Sequence, residues 1–117
     1  MRNSRIVLSA LICLLSPVTM AGTADKEIQY LLESIGQSEC VFIRNGKIHD
    51  APEAESHLRM KYGKAKFWIN SSEQFIDRIA SKSSWSGKPY FIDCPGEDRE
   101  PSADWLSQKL AAHRRKI

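Results

Sequence analysis

The sequence lacks any apolar run long enough to cross a membrane. The longest one covers residues 6–15, about half of the roughly 20 apolar residues that a spanning helix needs. Arg2 and Arg5 precede this run, and the small residue Ala21 follows it at the distance at which signal peptidase cuts. We therefore predict a bacterial Sec-type signal peptide over residues 1–21, cleaved after Ala21. A periplasmic or secreted protein without a transmembrane anchor is expected.

An excess of charge of one sign is also missing. The whole chain has 17 basic and 14 acidic residues, and residues 22–117 retain 15 and 14 because Arg2 and Arg5 fall in the signal. A nearly neutral exported domain is a poor partner for nucleic acid, and we expect no such binding. The basic residues 113–116 end the last predicted helix, where they either favour its dipole or contact an anionic surface.

Cysteines are few, and their number changes with processing. The chain has three, but Cys13 lies in the predicted signal, which leaves Cys40 and Cys94. Two cysteines in an exported chain pair by default, and closing this loop restricts the unfolded chain by about 4 kcal/mol in the chain-entropy account. The three histidines are scattered rather than set at metal-ligand spacing, so we predict a disulfide and no metal site.

Motifs for nucleotide or hydrolase chemistry are absent. Residues 86–88 read Ser-Gly-Lys, but the leading glycine of a phosphate-binding P-loop is missing and Pro89 replaces its final Ser or Thr. No Gly-x-Ser-x-Gly elbow occurs either. We therefore expect no cofactor, and no motif assigns a catalytic residue.

Periodic apolar residues predict four amphipathic helices in a single domain over residues 22–117. The first ends at Gly36, and its buried face is formed at i, i+3, i+4 and i+7 by Ile28, Leu31, Leu32 and Ile35. The second covers about residues 51–64 and begins with a capping-box pattern of Asp50 and Glu53, the third follows Ser71 and the fourth is capped by Ser102. The apolar cluster 67–69 is expected in the core rather than at a ligand.

Two short β-branched and aromatic runs, residues 40–44 and 88–94, predict strands, and Asn45-Gly46 predicts a turn after the first. An antiparallel pair with the cysteines opposite each other places Phe42 opposite Ile92. A parallel pair also fits the long connection between them. The predicted fold class is α+β: a small single domain with about four helices on a two-stranded antiparallel ribbon, and one disulfide.

Four motifs stand in the order and spacing of a known family. They are FIRNG at residues 42–46, HLR with a following Lys at 57–61, EQFID at 73–77 and the Ser-rich stretch ending in SGKPY at 80–90. In these motifs the chain resembles the YfeK-like family of small exported bacterial proteins, grouped as domain of unknown function 5329. The resemblance covers nearly all of residues 22–117. It implies a family and no activity.

The candidate ligand-binding residues are the polar ones within these motifs. They are Arg44, Asn45, His57, Lys61, Ser84, Ser86 and Tyr90. A guanidinium beside a turn can bind a carboxylate or phosphate, and residues four apart share one helix face. The structural alternatives are an Arg44 paired with an acidic neighbour, a His57 bonded to a loop, and serines that satisfy the carbonyls at a helix end.

Three functional hypotheses follow. The leading one is a non-catalytic periplasmic binding or interaction protein, in which the candidate residues form one patch for a small anionic ligand, a peptide end or an unknown envelope protein. The second is a small hydrolase or transferase that uses His57 as base with a serine of the 81–86 turn. The third is a purely structural envelope protein.

Overall fold

The computed structural model describes residues 19–117, so residues 1–18 of the predicted signal peptide lie outside the described residues. The helices are α1 (Thr19–Gly36), α2 (Ala51–Ala65), α3 (Ser72–Phe75) and α4 (Ser102–Arg115). The strands are β1 (Val41–Arg44), β2 (Lys47–His49), β3 (Phe91–Asp93) and β4 (Glu100–Pro101). A 3₁₀ turn, Lys66–Trp68, follows α2, and a π-helical segment, Ile76–Ala80, continues α3. The α+β class is confirmed. None of the helices within residues 19–117 is long and apolar enough to cross a membrane.

The sheet has four antiparallel strands in the order β2-β1-β3-β4, so the prediction of a two-stranded ribbon is wrong. β1 and β3 form the predicted antiparallel pair, with Phe42 opposite Ile92, which excludes the parallel alternative. Asn45 and Gly46 both have positive φ, 52° and 78°, as a tight hairpin turn requires, and the turn leads directly into β2. The added strands have three and two residues, too short to show an apolar alternation.

A disulfide joins Cys40 and Cys94, as predicted. Cys40 precedes β1 and Cys94 follows β3, so the bridge ties the ends of the two central strands. The bonded residues are 54 positions apart in the chain. The bridge therefore restrains most of the middle of the chain in the unfolded state as well as the sheet in the folded one.

The core lies between the helices and one face of the sheet. The four apolar residues of the first predicted face are 0% exposed, namely Ile28, Leu31, Leu32 and Ile35. On the sheet, Phe42 and Ile92 belong to the same buried cluster, and the ring of Phe42 meets that of Trp105 edge-on at 6.4 Å. The helices thus cover the face of the sheet that the register predicts.

The prediction that residues 67–69 all belong to the core is wrong for two of them. Phe67 is 92% and Trp68 68% exposed, whereas Ile69 is buried. The 3₁₀ turn Lys66–Trp68 buries none of its residues, and Ile69, the extended residue directly after the turn, is the one that reaches the core.

Two of the predicted helix starts are confirmed and one is wrong. Asp50 accepts a hydrogen bond from the backbone N of Glu53, whose side chain accepts one from the backbone N of Asp50. Ser71 caps α3 by accepting from the backbone N of Gln74. Ser102 does not cap α4. It is the first residue of that helix, and its hydroxyl donates to the carbonyl of Ala80 at 2.7 Å, which ties α4 to the π-helical segment.

Candidate functional site

A cavity of about 550 Å³ opens between α2, the end of β1 and the Ser-rich turn at residues 81–87. We call it the basic cavity. Six of the seven candidate residues line it, namely Arg44, Asn45, His57, Lys61, Ser84 and Tyr90. Ser86 does not line it, but its hydroxyl donates to the side-chain oxygen of Asn45 at 2.5 Å and so supports the wall. Residues far apart in sequence are therefore brought to one place.

Lys61 is held by three acceptors. Its Nζ donates to the carbonyl of Ile79 at 2.7 Å, to the carbonyl of Lys82 at 3.1 Å and to the hydroxyl of Tyr90 at 3.0 Å. An ammonium has three protons, so all of its donors are used. Burial and then the charge of Arg44 lower the pKa of Lys61 to about 8. Lys61 therefore gives the cavity charge and a fixed shape rather than a donor for a ligand.

His57 is a neutral group in this cavity at pH 7. Burial, followed by the nearby charges of Arg44, Lys61 and His49, lowers the pKa of His57 to about 4. Its Nε2 lies 3.5 Å from the hydroxyl of Tyr90. Within residues 19–117, no hydrogen bond joins His57 to a serine, so the base and nucleophile of the hydrolase hypothesis are not assembled.

The Ser-rich turn is organised by Ser83, which the sequence analysis did not select. The buried Ser83 hydroxyl accepts hydrogen bonds from the backbone N of Trp85 and of Ser86, both at 3.2 Å. It also accepts one from the side-chain amide of Asn45 at 3.3 Å. The turn is therefore fixed to the hairpin that carries Arg44, and Ser83 is a structural residue rather than a ligand contact.

Positive charge dominates the basic cavity. Arg44, Lys61 and Lys64 line it, and no carboxylate within residues 19–117 does. The guanidinium of Arg44 lies 3.4 Å from Nε2 of His49, whose other ring nitrogen faces Glu53 at 3.5 Å. The predicted alternative of a direct Arg44–carboxylate pair does not occur among the described residues. Among the described residues, Glu53 borders a smaller adjoining cavity that Arg44 and His57 also line, but it does not line the basic cavity. Cations that converge in this way attract an anion.

Aromatic residues at the mouth of the cavity were missed. Trp68 and Trp85 both line it, and Trp85 is 91% exposed. The prediction that residues 67–69 belong to the core includes Trp68, and no prediction covers Trp85. The sequence around Trp85 does indicate that this residue is exposed. A single Trp among serines, glycine and lysine in a turn has no apolar neighbours with which to be buried.

A second charged cluster joins α1, α3 and α4, and its charged groups are paired with one another. Arg114 donates two hydrogen bonds of 2.8 Å to the buried Glu27 and one of 2.7 Å to Glu73. Ser72 donates to Glu27 at 2.7 Å. The hydrogen bonds from Arg114 are the main cause that lowers the pKa of Glu27 to about 2. We call these four residues the Glu27 cluster.

Comparisons with known proteins agree with the motif resemblance. A family described as a family of unknown function, DUF5329, matches residues 22–114. The chain belongs to the DUF5329 family. It is 45% identical over 67 residues to the uncharacterized protein YfeK of Salmonella typhimurium strain LT2, an alignment that spans 56% of each protein. No solved structure matches the chain. None of these descriptions names an activity, so a function has to be argued from the site.

Proposed function

We propose that this DUF5329 protein is a non-catalytic binding protein of the cell envelope that holds an anionic group in the basic cavity. The observation that carries the proposal is the convergence of Arg44, Lys61 and Lys64 on one cavity that no carboxylate in the described part of the chain lines. Keeping like charges close together costs free energy, and a bound anion offsets that cost.

The cavity has the size and the donors for such a group. Its volume of about 550 Å³ lies in the range of small-molecule sites. Arg44 presents a planar fork of five N–H donors, and the described residues engage it only through His49. A guanidinium binds a carboxylate or phosphate through two parallel charge-assisted bonds. Ser84 adds a hydroxyl at the rim.

The state of the other groups favours binding over catalysis. A His57 with a pKa of about 4 is a weak base at neutral pH, and the three protons of Lys61 are already donated to protein oxygens. Both residues therefore line the cavity and set its shape, and Lys61 also contributes positive charge. Arg44 is the residue that contacts the anion.

Export is part of the proposal. The signal predicted over residues 1–21 and the Cys40–Cys94 disulfide both point to an oxidising compartment outside the cytoplasm. Cleavage after Ala21 would remove three residues of α1 and leave its buried face, which starts at Glu27, intact. Fractionation and N-terminal sequencing test this. A chain that starts at Gly22 in the periplasm is expected, and an unprocessed cytoplasmic chain would contradict it.

Anion binding is tested by titration with inorganic phosphate and with acetate, followed by backbone amide chemical shifts. Shifts confined to the hairpin turn, α2 and the Ser-rich turn are expected. Arg44→Gln should weaken the apparent affinity about tenfold, since it removes a charge-assisted pair of bonds. Arg99→Gln is the matched control, because Arg99 is an exposed arginine that pairs with Asp93 away from the cavity.

The two variants decide the proposal together. Equal weakening by both would show general charge attraction instead of a site. Shifts that persist unchanged in Arg44→Gln would place the anion elsewhere. Turnover of an ester or amide substrate that is lost in His57→Gln would overturn the non-catalytic assignment.

A further inference from the structure

We propose that the mouth of the basic cavity docks on an anionic phospholipid bilayer, with Phe67, Trp68 and Trp85 in the interfacial layer and a lipid phosphate in the cavity. These three side chains are called the aromatic rim. The inference rests on the proposed function, because the anion that the cavity holds would be the headgroup phosphate.

The aromatic rim is an exposed surface built from two separate segments. Phe67 and Trp68 belong to the 3₁₀ turn after α2, and Trp85 to the Ser-rich turn. Their exposed fractions are 92%, 68% and 91%. Trp68 and Trp85 line the same cavity, so both segments meet at one mouth. Trp68 and Trp85 line one opening, and Phe67 is the exposed neighbour of Trp68 in the 3₁₀ turn. Exposed large aromatic side chains grouped in this way mark an interaction surface.

Both segments are held in place by hydrogen bonds. Arg78 donates to the carbonyl of Trp68 at 3.1 Å, and the backbone N of Trp85 donates to the buried hydroxyl of Ser83 at 3.2 Å. The exposure of the aromatic rim is therefore a property of the folded backbone. A surface presented in this way loses little conformational freedom when it meets a partner.

The type of side chain favours a bilayer. Tryptophan is enriched at the membrane–water interface, where its ring is amphipathic, and lysine stems extend through the apolar layer to reach phosphate. Lys64 lies two residues before the 3₁₀ turn and Lys66 is its first residue, and Arg44 and Lys61 line the cavity. Aromatic and basic residues thus occupy the same face, which is the combination needed for reversible binding to anionic lipid.

Charge argues against a second copy of the chain as the occupant. A symmetric dimer brings the same patch of both molecules together, so the cations of one cavity would face those of the other. An apolar protein partner would cover these cations without a counter-charge. An anionic membrane supplies the counter-charge and the apolar layer at once.

The C-terminal basic residues form a different face and supply the control. Arg115 and Lys116 are exposed, and the exposed large apolar residue beside them is the aliphatic Ile117. Nearby, His113 is stacked on Tyr30 with ring centroids 4.0 Å apart. A membrane bound through charge alone would use this face as readily as the basic cavity.

The test is co-sedimentation with vesicles, using the protein purified in the form that cells export. Mixed phosphatidylglycerol and phosphatidylcholine vesicles should bind it, and pure phosphatidylcholine vesicles should bind it much more weakly. Trp85→Ala and Phe67→Ala should each lower the partition coefficient about tenfold, and Lys64→Gln about fivefold. Both aromatic positions are at the surface, so the variants should fold, which circular dichroism verifies. Two variants keep the test informative if one fails to fold.

Matched controls separate the two basic faces. Lys26→Gln changes an exposed lysine of α1 that does not line the cavity, and the double variant Arg115→Gln, Lys116→Gln changes the C-terminal face. Both should bind vesicles like wild type. Vesicle binding that is lost in the C-terminal variant and retained in the aromatic ones would overturn the inference, as would equal binding to both kinds of vesicle.

Titration with free phosphate distinguishes the two proposals. Phosphate binding at Arg44 without binding to anionic vesicles would refute the lipid inference and leave the proposed function standing. Self-association that is abolished by Trp85→Ala, without vesicle binding, would make the aromatic rim a protein interface instead. A wild-type protein that binds neither free phosphate nor anionic vesicles would refute both proposals.

Discussion

Arg114 and Arg44 both stand near the end of a secondary-structure element, α4 and β1, but their surroundings differ. Arg114 meets two carboxylates through three hydrogen bonds of 2.7 to 2.8 Å. Arg44 has one contact of 3.4 Å, to a histidine, among the described residues. The charge of one arginine is neutralised inside the protein, while that of the other is left facing a cavity.

The difference separates two uses of charge. In the Glu27 cluster each charge has a partner, and the result is a stabilising link between α1, α3 and α4. In the basic cavity the pKa of Lys61 is lowered first by burial and then by the like charge of Arg44. Perturbed groups gathered in a cavity are more typical of functional sites than of structural ones.

The largest expected effect on stability comes from a substitution that breaks the ion pairs of the Glu27 cluster. Arg114→Ala should lower the free energy of unfolding by about 2 to 3 kcal/mol, because it leaves the buried Glu27 carboxylate without its partner. Arg44→Ala should change it by less than about 0.5 kcal/mol, since it also removes repulsion from the cavity. Denaturant unfolding measures both, and Arg115→Ala is the exposed neighbour control. Equal losses for Arg114→Ala and Arg44→Ala would contradict the contrast.

An intermediate effect is expected within the basic cavity itself. Lys61→Met should cost about 1.5 kcal/mol, because the carbonyls of Ile79 and Lys82 lose their donor. Lys64→Met should be nearly neutral for stability, since Lys64 is exposed, but it should weaken phosphate binding. Thermal unfolding and phosphate titration of both variants test this division. A Lys61→Met variant as stable as wild type would show that Lys61 is not part of the framework.

The smallest expected effect is a difference in how the free energy of unfolding depends on pH. The folded-state pKa of His57, about 4, lies below its ordinary value of 6.5, so the unfolded chain binds the proton first and stability falls as pH drops from about 6.5 to 4. For Glu27 the folded value of about 2 lies below 4.5, and its contribution is lost from about pH 4.5 to 2.

The His57→Gln variant separates the two pH ranges. Denaturant unfolding of this variant should show a flatter dependence between about pH 6.5 and 4 and an unchanged one below that range. Wild-type behaviour retained between pH 6.5 and 4 would mean that His57 titrates normally.

Local sequence patterns predicted much of the fold. The i, i+3, i+4, i+7 spacing of α1, the Asp50 capping box and the Asn45-Gly46 turn are set by neighbours in sequence and were all predicted. The antiparallel register with Phe42 opposite Ile92 was one of two arrangements left open by the sequence, and the structure decided for it. The features that were not predicted, or were predicted wrongly, depend on distant contacts. They are the two short edge strands, the exposure of Phe67 and Trp68, and the hydrogen bond from Ser102 to Ala80.

The candidate site shows the same division. Polar motifs selected six residues that line one cavity, but their roles depended on partners that sequence does not show. Lys61 turned out to be held by carbonyls 18 and 21 positions away, and Ser83 rather than Ser84 fixed the turn. A hydrogen-bond partner on another element cannot be read from spacing within one motif.

By itself the sequence determined the helices, the two central strands but not their relative direction, the disulfide and the family, because periodicity, turn chemistry and cysteine number act locally or through one covalent bond. Only the tertiary structure decided that Arg114 is neutralised and Arg44 is not. It also decided that two exposed tryptophans, Trp68 and Trp85, line a basic cavity. Burial and the sign of the neighbouring charges depend on which elements meet, and that is set by the packing of the whole domain.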